Sequence, residues 1–440
     1  MAEISAKQHR KLNHLLKSLF SVKSFESDSI EAARRLGLKY LHHELRLRDD
    51  KTLLLTDHGF TTLGEIDSIL RAGNLVEFAQ TWDFTNALRK TLTDLLSDNK
   101  MPDNSHELVS LVRDRVEAMR HRYWYAVPVN GIGLTGIDSV RLGELTLIKP
   151  TKEKLERFGA RLTEDFKIDD ALGRGPCLIG SVYGTESYAR REFRFRAEIV
   201  IGVVAAVAAA SYERGAVPFR ITLEMTASGA EAIARYAYWN DCNPSITWTR
   251  NLTEHQSLRI DADMAEHLQS APYIQRAFGL ANGNGLSPLE ETLVRGLFWF
   301  SDAQRDTVPV MQLVKFWSCA EGFFSEERIE ITKSVSEGVA AILVFGVRLK
   351  PPDEYRSIVS ELVNMYELRS KAVHGAHHDH VTLADIAKLS QYTAWMLLGI
   401  AGLAAENGYT RSEEVRIQTK RLAQRMKEHR RKSPDSGPEI

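Results

Sequence analysis

ANGNGLSPLEETLVRGLFWF, residues 281 to 300, is the stretch on which the architecture of this chain turns. Residues 281–285 alternate asparagine and glycine after one alanine, a composition that reverses a chain. Ser287, Pro288 and Glu290 then supply a capping hydroxyl, a proline at the first helical position and an acid three residues past the cap, which together begin a helix. Downstream the apolar spacing predicts helices over 288–301, 310–325, 329–344, 354–374 and 383–406, with Pro309 and the pair Pro351, Pro352 as breaks. Five helices joined by short loops predict an antiparallel bundle over 285–410. A last helix opens at TRSE, residues 410–413, read as a capping box. Its second half carries Arg416, Lys420, Arg421, Arg425, Lys427, Arg430, Arg431 and Lys432 against Glu428. Two readings stay open for this basic helix and tail, 411–440: a partner with a phosphate backbone, or a solvated terminal helix.

Upstream, residues 1–122 read as a helical region, with SIEAARRLGLKYLHHELRLR (29–48) and HELVSLVRDRVEAMRHR (106–122) repeating apolar residues every three or four positions. From Tyr123 the texture changes. WYAVPV, VRLGELTLI and FRITLEM are short, rich in strand formers and separated by glycine turns, with helical pieces such as EKLERFGARL between them. The expectation is a mixed α/β domain over 123–255 and a connecting segment over 256–284, so a multidomain, mostly α protein. GIGLTG, residues 131–136, matches a dinucleotide-binding pattern, but IDSVRLGELTLI after it is β-rich and broken by a turn where that mechanism needs a helix. A glycine-rich strand connection is expected instead.

A chain of 440 residues with 43% hydrophobic and 26% charged residues has a globular composition and room for more than one core. A formal charge of -1 gives no overall field that would mark a nucleic-acid partner, so local charge placement has to decide that question. Cys177, Cys242 and Cys319 are far apart and in no metal-ligand or redox spacing, as suits a reducing compartment. MAEISAKQHRKLNHLLK has neither the apolar core nor the cleavage site of a signal peptide. The apolar run IVIGVVAAVAAA, residues 199–210, falls short of the ~20 residues that cross a bilayer and reads as buried core. A cytoplasmic protein without membrane contact is expected.

The densest chemistry lies in YELRSKAVHGAHHDH, residues 366–380. Spacing alone selects nothing, because Arg35 with His42, Arg115 with His121 and Arg250 with His255 match the arginine-to-histidine interval as well as Arg369 with His374. Helix position does select. At ~100° per residue, Ile358, Leu362, Met365, Tyr366, Ala372 and Val373 form one apolar stripe, and Arg369 projects from its middle. The second bundle helix mirrors this, with Val310, Leu313, Val314, Trp317, Ala320 and Phe324 around Glu321. Inward-facing charges need partners. An ion pair of Glu321 with Arg369 that fixes helix register is one reading; a guanidinium held ready for phosphate is the other. His374 lies five residues on, about 140° around an ideal helix, so convergence needs the helix to end at His374 with Gly375 as its cap.

Tyr366, Arg369, Ser370, His374 and Gly375, in the order Y-x-x-R-S-x-x-x-H-G, resemble the signature of HEPN domains, most closely the ApeA-like branch. The resemblance covers about 285–410 and includes FWSCAEGFF with Glu321 and the long apolar helix LADIAKLSQYTAWMLLGIAGLAAE. It implies an antiparallel bundle that dimerises or forms a higher homo-oligomer, bringing two arginine and histidine pairs into one cleft that cuts RNA without metal or other cofactor. His374 would be the general acid or base and Arg369 would stabilise charge on the phosphate, supported by Glu321, Ser370 and Tyr366. RNA contacts would come from Lys371, His377, His378, Arg421 and Arg425. Such domains serve anti-phage, abortive-infection and toxin systems, which implies a phage-derived trigger or an antitoxin as further partners. Other HEPN domains are non-catalytic modules for dimerisation or for nucleotide or RNA binding, and that alternative stays open. His377, His378, Asp379 and His380 are adjacent, which disfavours convergence on one metal ion, so they are expected as loop residues before a helix capped by Thr382 with Asp385 in its first turn.

Overall fold

The computed structural model describes the chain except residues 1–3, 27–42, 49–50, 74, 163, 166, 174, 212–218, 224–232, 241–242, 253–256, 284, 326–330, 376–380 and 433–440. The protein is mostly helical, with a small region of strands in its middle. It divides into two compact units, one of Met1–Tyr125 with Ser181–Phe193 and the other of Ala126–Gly180 with Arg194–Ile440. The stretch 123–255, read above as a domain of its own, is shared between them.

In the first unit, α1 (Ala6–Leu19) is opened by a capping box between Ser5 and Gln8 and buries Leu12, Leu15, Leu16 and Leu19, the one-turn spacing of an amphipathic helix. Strands β1 (Glu44–Arg46) and β2 (Thr52–Leu54) follow as an antiparallel pair, with Glu44 opposite Leu54. This corrects the helix expected through residue 48. Leu45 and Leu47 alternate with Arg46 and Arg48, a period of two, and the strand turns Leu45 into the core while Arg46 stays in water. Helices α2 (Asp57–Ala72), α3 (Thr81–Ser97) and α4 (Ser105–Ala118) complete the layer around a core that includes Ile66, Leu70, Leu88, Leu108 and Val112. Residues 181–193 are tied to α3 by the buried Asp83, whose carboxylate accepts from Thr185 Oγ1 at 2.6 Å and from Ser187 Oγ.

Strand β3 (His121–Asn130) takes over where the helix expected to 122 ends. It is followed by β4 (Ile132–Leu134), the hairpin β5 (Ser139–Leu142) and β6 (Leu145–Ile148), the short helices α5 (Lys152–Arg157) and α6 (Ile168–Leu172), and β7 (Cys177–Gly184). All of these strands but β4 form, with β8 (Thr222–Leu223), a five-stranded sheet in the order β5-β6-β7-β3-β8. GIGLTG leads into strands and no helix, as expected. Gly131 there has φ +79°, and a Cβ on it would stand 1.9 Å from the Arg220 carbonyl oxygen, so glycine is needed for a close backbone approach.

Helix α7 (Glu186–Ala210) carries the apolar run 199–210, which is buried on all sides within the second unit, as a helix apolar all round must be. Strands β9 (Ile233–Asn240) and β10 (Asn243–Leu252) pair with each other, and β11 (Leu258–Ile260) runs parallel to β4. Helices α8 (Ala262–Ser270) and α9 (Pro272–Gly279) lead to the bundle: α10 (Pro288–Arg305), α11 (Pro309–Phe324), α12 (Ile331–Ala341), a wide turn over Ile342–Gly346, α13 (Tyr355–Gly375), α14 (Leu383–Asn407) and α15 (Ser412–Lys432). The caps expected from Ser287 with Glu290 and from Thr382 with Asp385 both form. At α15 the acid is Glu414, not Glu413: its carboxylate accepts from the Thr410 and Arg411 backbone amides at 2.7 and 2.9 Å, one position later than TRSE implied.

Two buried contacts fix α7 in the bundle. Glu198 pairs with Arg305 of α10 and accepts from Ser301 Oγ at 3.3 Å. Trp395 of α14 donates through Nε1 to the Ala210 carbonyl, 2.8 Å away, at the last turn of α7. Arg220 in turn donates to the Gln304 and Arg305 carbonyls at 2.9 and 2.7 Å, ending α10 with a cation where the helix dipole is negative.

Candidate functional site

Helices α11 and α13 build the site. Trp317 packs on Tyr366 with ring centroids 5.4 Å apart, and one turn further Glu321 meets Arg369, so the two helices run in the same direction. α11 buries Val310, Leu313, Trp317, Ala320 and Phe324 as expected, together with Phe316, Cys319 and Phe323, while Val314 is half-buried. The buried face is wider than one stripe because α10 and α14 cover it as well as α13: Cys319 Sγ donates to the Gly296 carbonyl of α10, and Thr393 Oγ1 of α14 to that of Phe316. Burial pushes the Cys319 thiol far above its ordinary pKa, which leaves it an unreactive core group.

On α13, Ile358, Leu362 and Met365 are buried. Val373, expected in the same stripe, is 52% exposed. The physical reason is level. Reading up from the Glu321 contact, α11 has its last residue at Phe324, so the stripe runs out of cover about where Val373 stands. The other side of α13 is braced by α14, where Tyr392 Oη donates to Glu361 at 2.9 Å and Lys388 pairs with the same carboxylate at 2.9 Å. Burial, and then the Glu361 carboxylate, hold the Tyr392 phenol well above its usual value, so it stays a donor.

The expected contact of Glu321 with Arg369 is present but loose. The nearest Nη2 to Oε1 distance is 3.7 Å, and the two side chains are 26% and 22% exposed. The guanidinium also lies over the Tyr366 ring, 5.7 Å from its centroid, close enough for a cation and π attraction. Two donors at this spot are buried with no acceptor among the described residues, Arg369 Nε and Trp317 Nε1. The sequence marked Trp317 only as core, and nothing in residue spacing signals an unfilled indole N–H.

Arg369, Tyr366 and Glu321 are thus brought together, with Ser370 half-buried and Lys371 exposed on the next positions of α13. His374 lies on α13, which continues through Gly375, so the helix does not end at His374 as expected. Its side chain, and residues His377 and His378, lie outside the described residues. Arg421 is exposed on α15, and the Arg425 side chain lies outside the described set. Arg416 is used structurally, donating through Nη1 to the Ser325 carbonyl at 2.9 Å at the end of α11. Among the described residues no group of three metal-ligating side chains is assembled, and no helix is long and apolar enough to cross a membrane.

No model of a known protein family matches the chain, and no curated protein or solved structure is found to be similar to it.

Proposed function

We propose that this protein is a metal-independent endoribonuclease of the HEPN type, acting in the cytoplasm as a homodimer or higher homo-oligomer in an anti-phage, abortive-infection or toxin-like system. The observation that supports it most is the state of Arg369. The guanidinium is supported by Tyr366, held only loosely by Glu321 and partly exposed, so its charge is not used up within the bundle. A phosphate oxygen is the acceptor that a guanidinium fork fits best.

In this reading the ribose 2′-hydroxyl gives up its proton and attacks the adjacent phosphorus, the P–O5′ bond breaks, the leaving 5′-oxygen takes a proton, and the products carry a 2′,3′-cyclic phosphate and a 5′-hydroxyl. His374 moves that proton, which suits an imidazole that titrates near neutrality and is worth roughly 10²- to 10⁴-fold. Arg369 meets the charge that grows on the phosphoryl oxygens in the transition state. The nucleophile is already tethered beside the phosphorus, so no metal is required to deliver it. Lys371, His377, His378, Arg421 and Arg425 are assigned to RNA contacts, with the trigger or antitoxin as a separate partner.

The test compares wild type with Arg369→Ala and His374→Ala on bulk tRNA and other RNA in EDTA, over a range of protein concentrations. Wild type is expected to leave cyclic phosphate ends, with each variant slower by about 10²-fold or more. Cleavage that survives in both variants, or equal silence in all three, rejects the assignment and leaves the bundle as a non-catalytic dimerisation or nucleotide- or RNA-binding module. Loss of the wild-type activity in EDTA alone would assign the loop histidines to a metal.

A further inference from the structure

A cavity of about 600 Å³ opens between α1 and α4 in the first unit. That volume is within the range of small-molecule sites. Its floor is apolar, made by the buried side chains of Ile4, Leu75 and Val109. Its polar wall is basic: His9 and Arg10 from α1 face His106 and Arg113 from α4, and no carboxylate among the described residues lines it.

Three features distinguish this wall from a chance run of surface charge. The His9 and His106 rings are stacked, 3.7 Å between centroids and 15° from parallel, which makes a flat aromatic step at the edge of the cavity. His9 is held from behind. Its Nδ1 shares a 3.0 Å hydrogen bond with the hydroxyl of the fully buried Ser105, whose backbone amide donates to Asn13 Oδ1 at 2.6 Å, so Nε2 is the ring nitrogen left for a ligand. Neighbouring cations on the same helices are ion-paired, Lys11 with Glu65 and Arg115 with Asp94, whereas Arg10 and Arg113 form no ion pair among the described residues. The amides at the start of α4 contribute nothing further, since Asn104 Oδ1 already accepts from His106 and Glu107.

We propose that this cavity binds a nucleotide, its phosphates held by Arg10 and Arg113 and its base set on the histidine step over the apolar floor. Two arginines without counter-ions among the described residues supply forked donors for a phosphate. A mixed aromatic and apolar bed takes the ring of a nucleoside, which a bare anion does not use. The site is independent of Arg369 and His374, so it stands whether or not the bundle cuts RNA.

Calorimetric titration of the full-length protein with AMP, ATP and GTP, with adenosine and inorganic phosphate as controls, tests the proposal. The nucleotides are expected to bind at least about tenfold more tightly than either control. The double variant Arg10→Glu, Arg113→Glu should weaken them by about 10- to 100-fold, the loss of charge-assisted hydrogen bonds, and His106→Ala should weaken nucleotides more than phosphate. Both arginines are exposed, so the variants should fold with an unchanged circular dichroism spectrum. No heat with any nucleotide at millimolar concentration overturns the proposal. So does binding unchanged in the double variant, phosphate binding as tight as ATP, or binding of RNA oligomers without mononucleotides.

Discussion

At the scale of single residues, Arg369 and Trp317 each keep a buried donor without a described acceptor. A donor left so costs roughly 1–3 kcal/mol. The compensating ion pair is weak: at 3.7 Å, with both side chains partly exposed, it contributes at most about 1 kcal/mol. Fold stability therefore does not account for arginine at this position. Replacing it by Met, which keeps an unbranched apolar stem and removes both the charge and the orphan donor, should leave urea stability unchanged or raise it by up to about 1 kcal/mol. The same variant should lose RNA cleavage. If Arg369→Met instead lowers stability by more than about 2 kcal/mol, the guanidinium is a structural clamp and the phosphate role loses its main support.

At the scale of elements, two glycines in adjacent helices make opposite predictions from the same substitution. Helix propensity favours alanine over glycine by about 1 kcal/mol. On α12 a Cβ at Gly338 would stand 2.4 to 2.7 Å from the ring of Phe324, which is buried and has no room to retreat. Overpacking wins there, and Gly338→Ala should destabilise by about 1–3 kcal/mol. On α11 a Cβ at Gly322 would meet only Thr292 Cγ2 at 3.6 Å, ordinary contact, so Gly322→Ala should stabilise by about 0.5–1 kcal/mol. Denaturant midpoints for the two variants would check the α11 and α12 packing that carries Glu321 toward Arg369; two shifts of the same sign would refute it. The same helices show how local signals fare. Ser287, Pro288 and Glu290 act within one turn, so the start of α10 was readable from four residues. Val373 was misplaced because its cover depends on where a different helix ends.

At the scale of the molecule, α7 ties the middle of the sequence to the bundle. Glu198 and Arg305 are 107 positions apart, and no periodicity announces that they meet. The bundle is thus larger than residues 285–410, and a fragment beginning at residue 285 would expose the faces that Gly202, with the Leu297 carbonyl 3.1 Å from its would-be Cβ, keeps in close contact. The proposed dimer gives a prediction at this scale too. Arg369→Ala and His374→Ala proteins, each inactive, would form mixed dimers when unfolded and refolded together. If each centre takes its arginine from one subunit and its histidine from the other, a mixed dimer holds one intact centre, and activity should return to about a quarter of wild type, since half the dimers are mixed and each has one of two centres. Cleavage assays on the refolded mixture read this directly. Persistent inactivity, with mixed dimers shown to be present, would place both groups on the same chain.

Interactions confined to a few residues were determined by the sequence itself: the caps of α10 and α14, the apolar faces of the bundle helices, and the placing of one charge, Glu321 or Arg369, within the apolar face of α11 and of α13. Each follows from backbone geometry or from the cost of an unpaired charge, which neighbours in the chain already express. Tertiary structure alone decided the pairing of 44–46 with 52–54, the place of α7 inside the bundle, the exposure of Val373 and the gathering of His9, Arg10, His106 and Arg113 about one cavity. These depend on which surfaces, distant along the chain, exclude water from one another, and that is settled only when the elements pack.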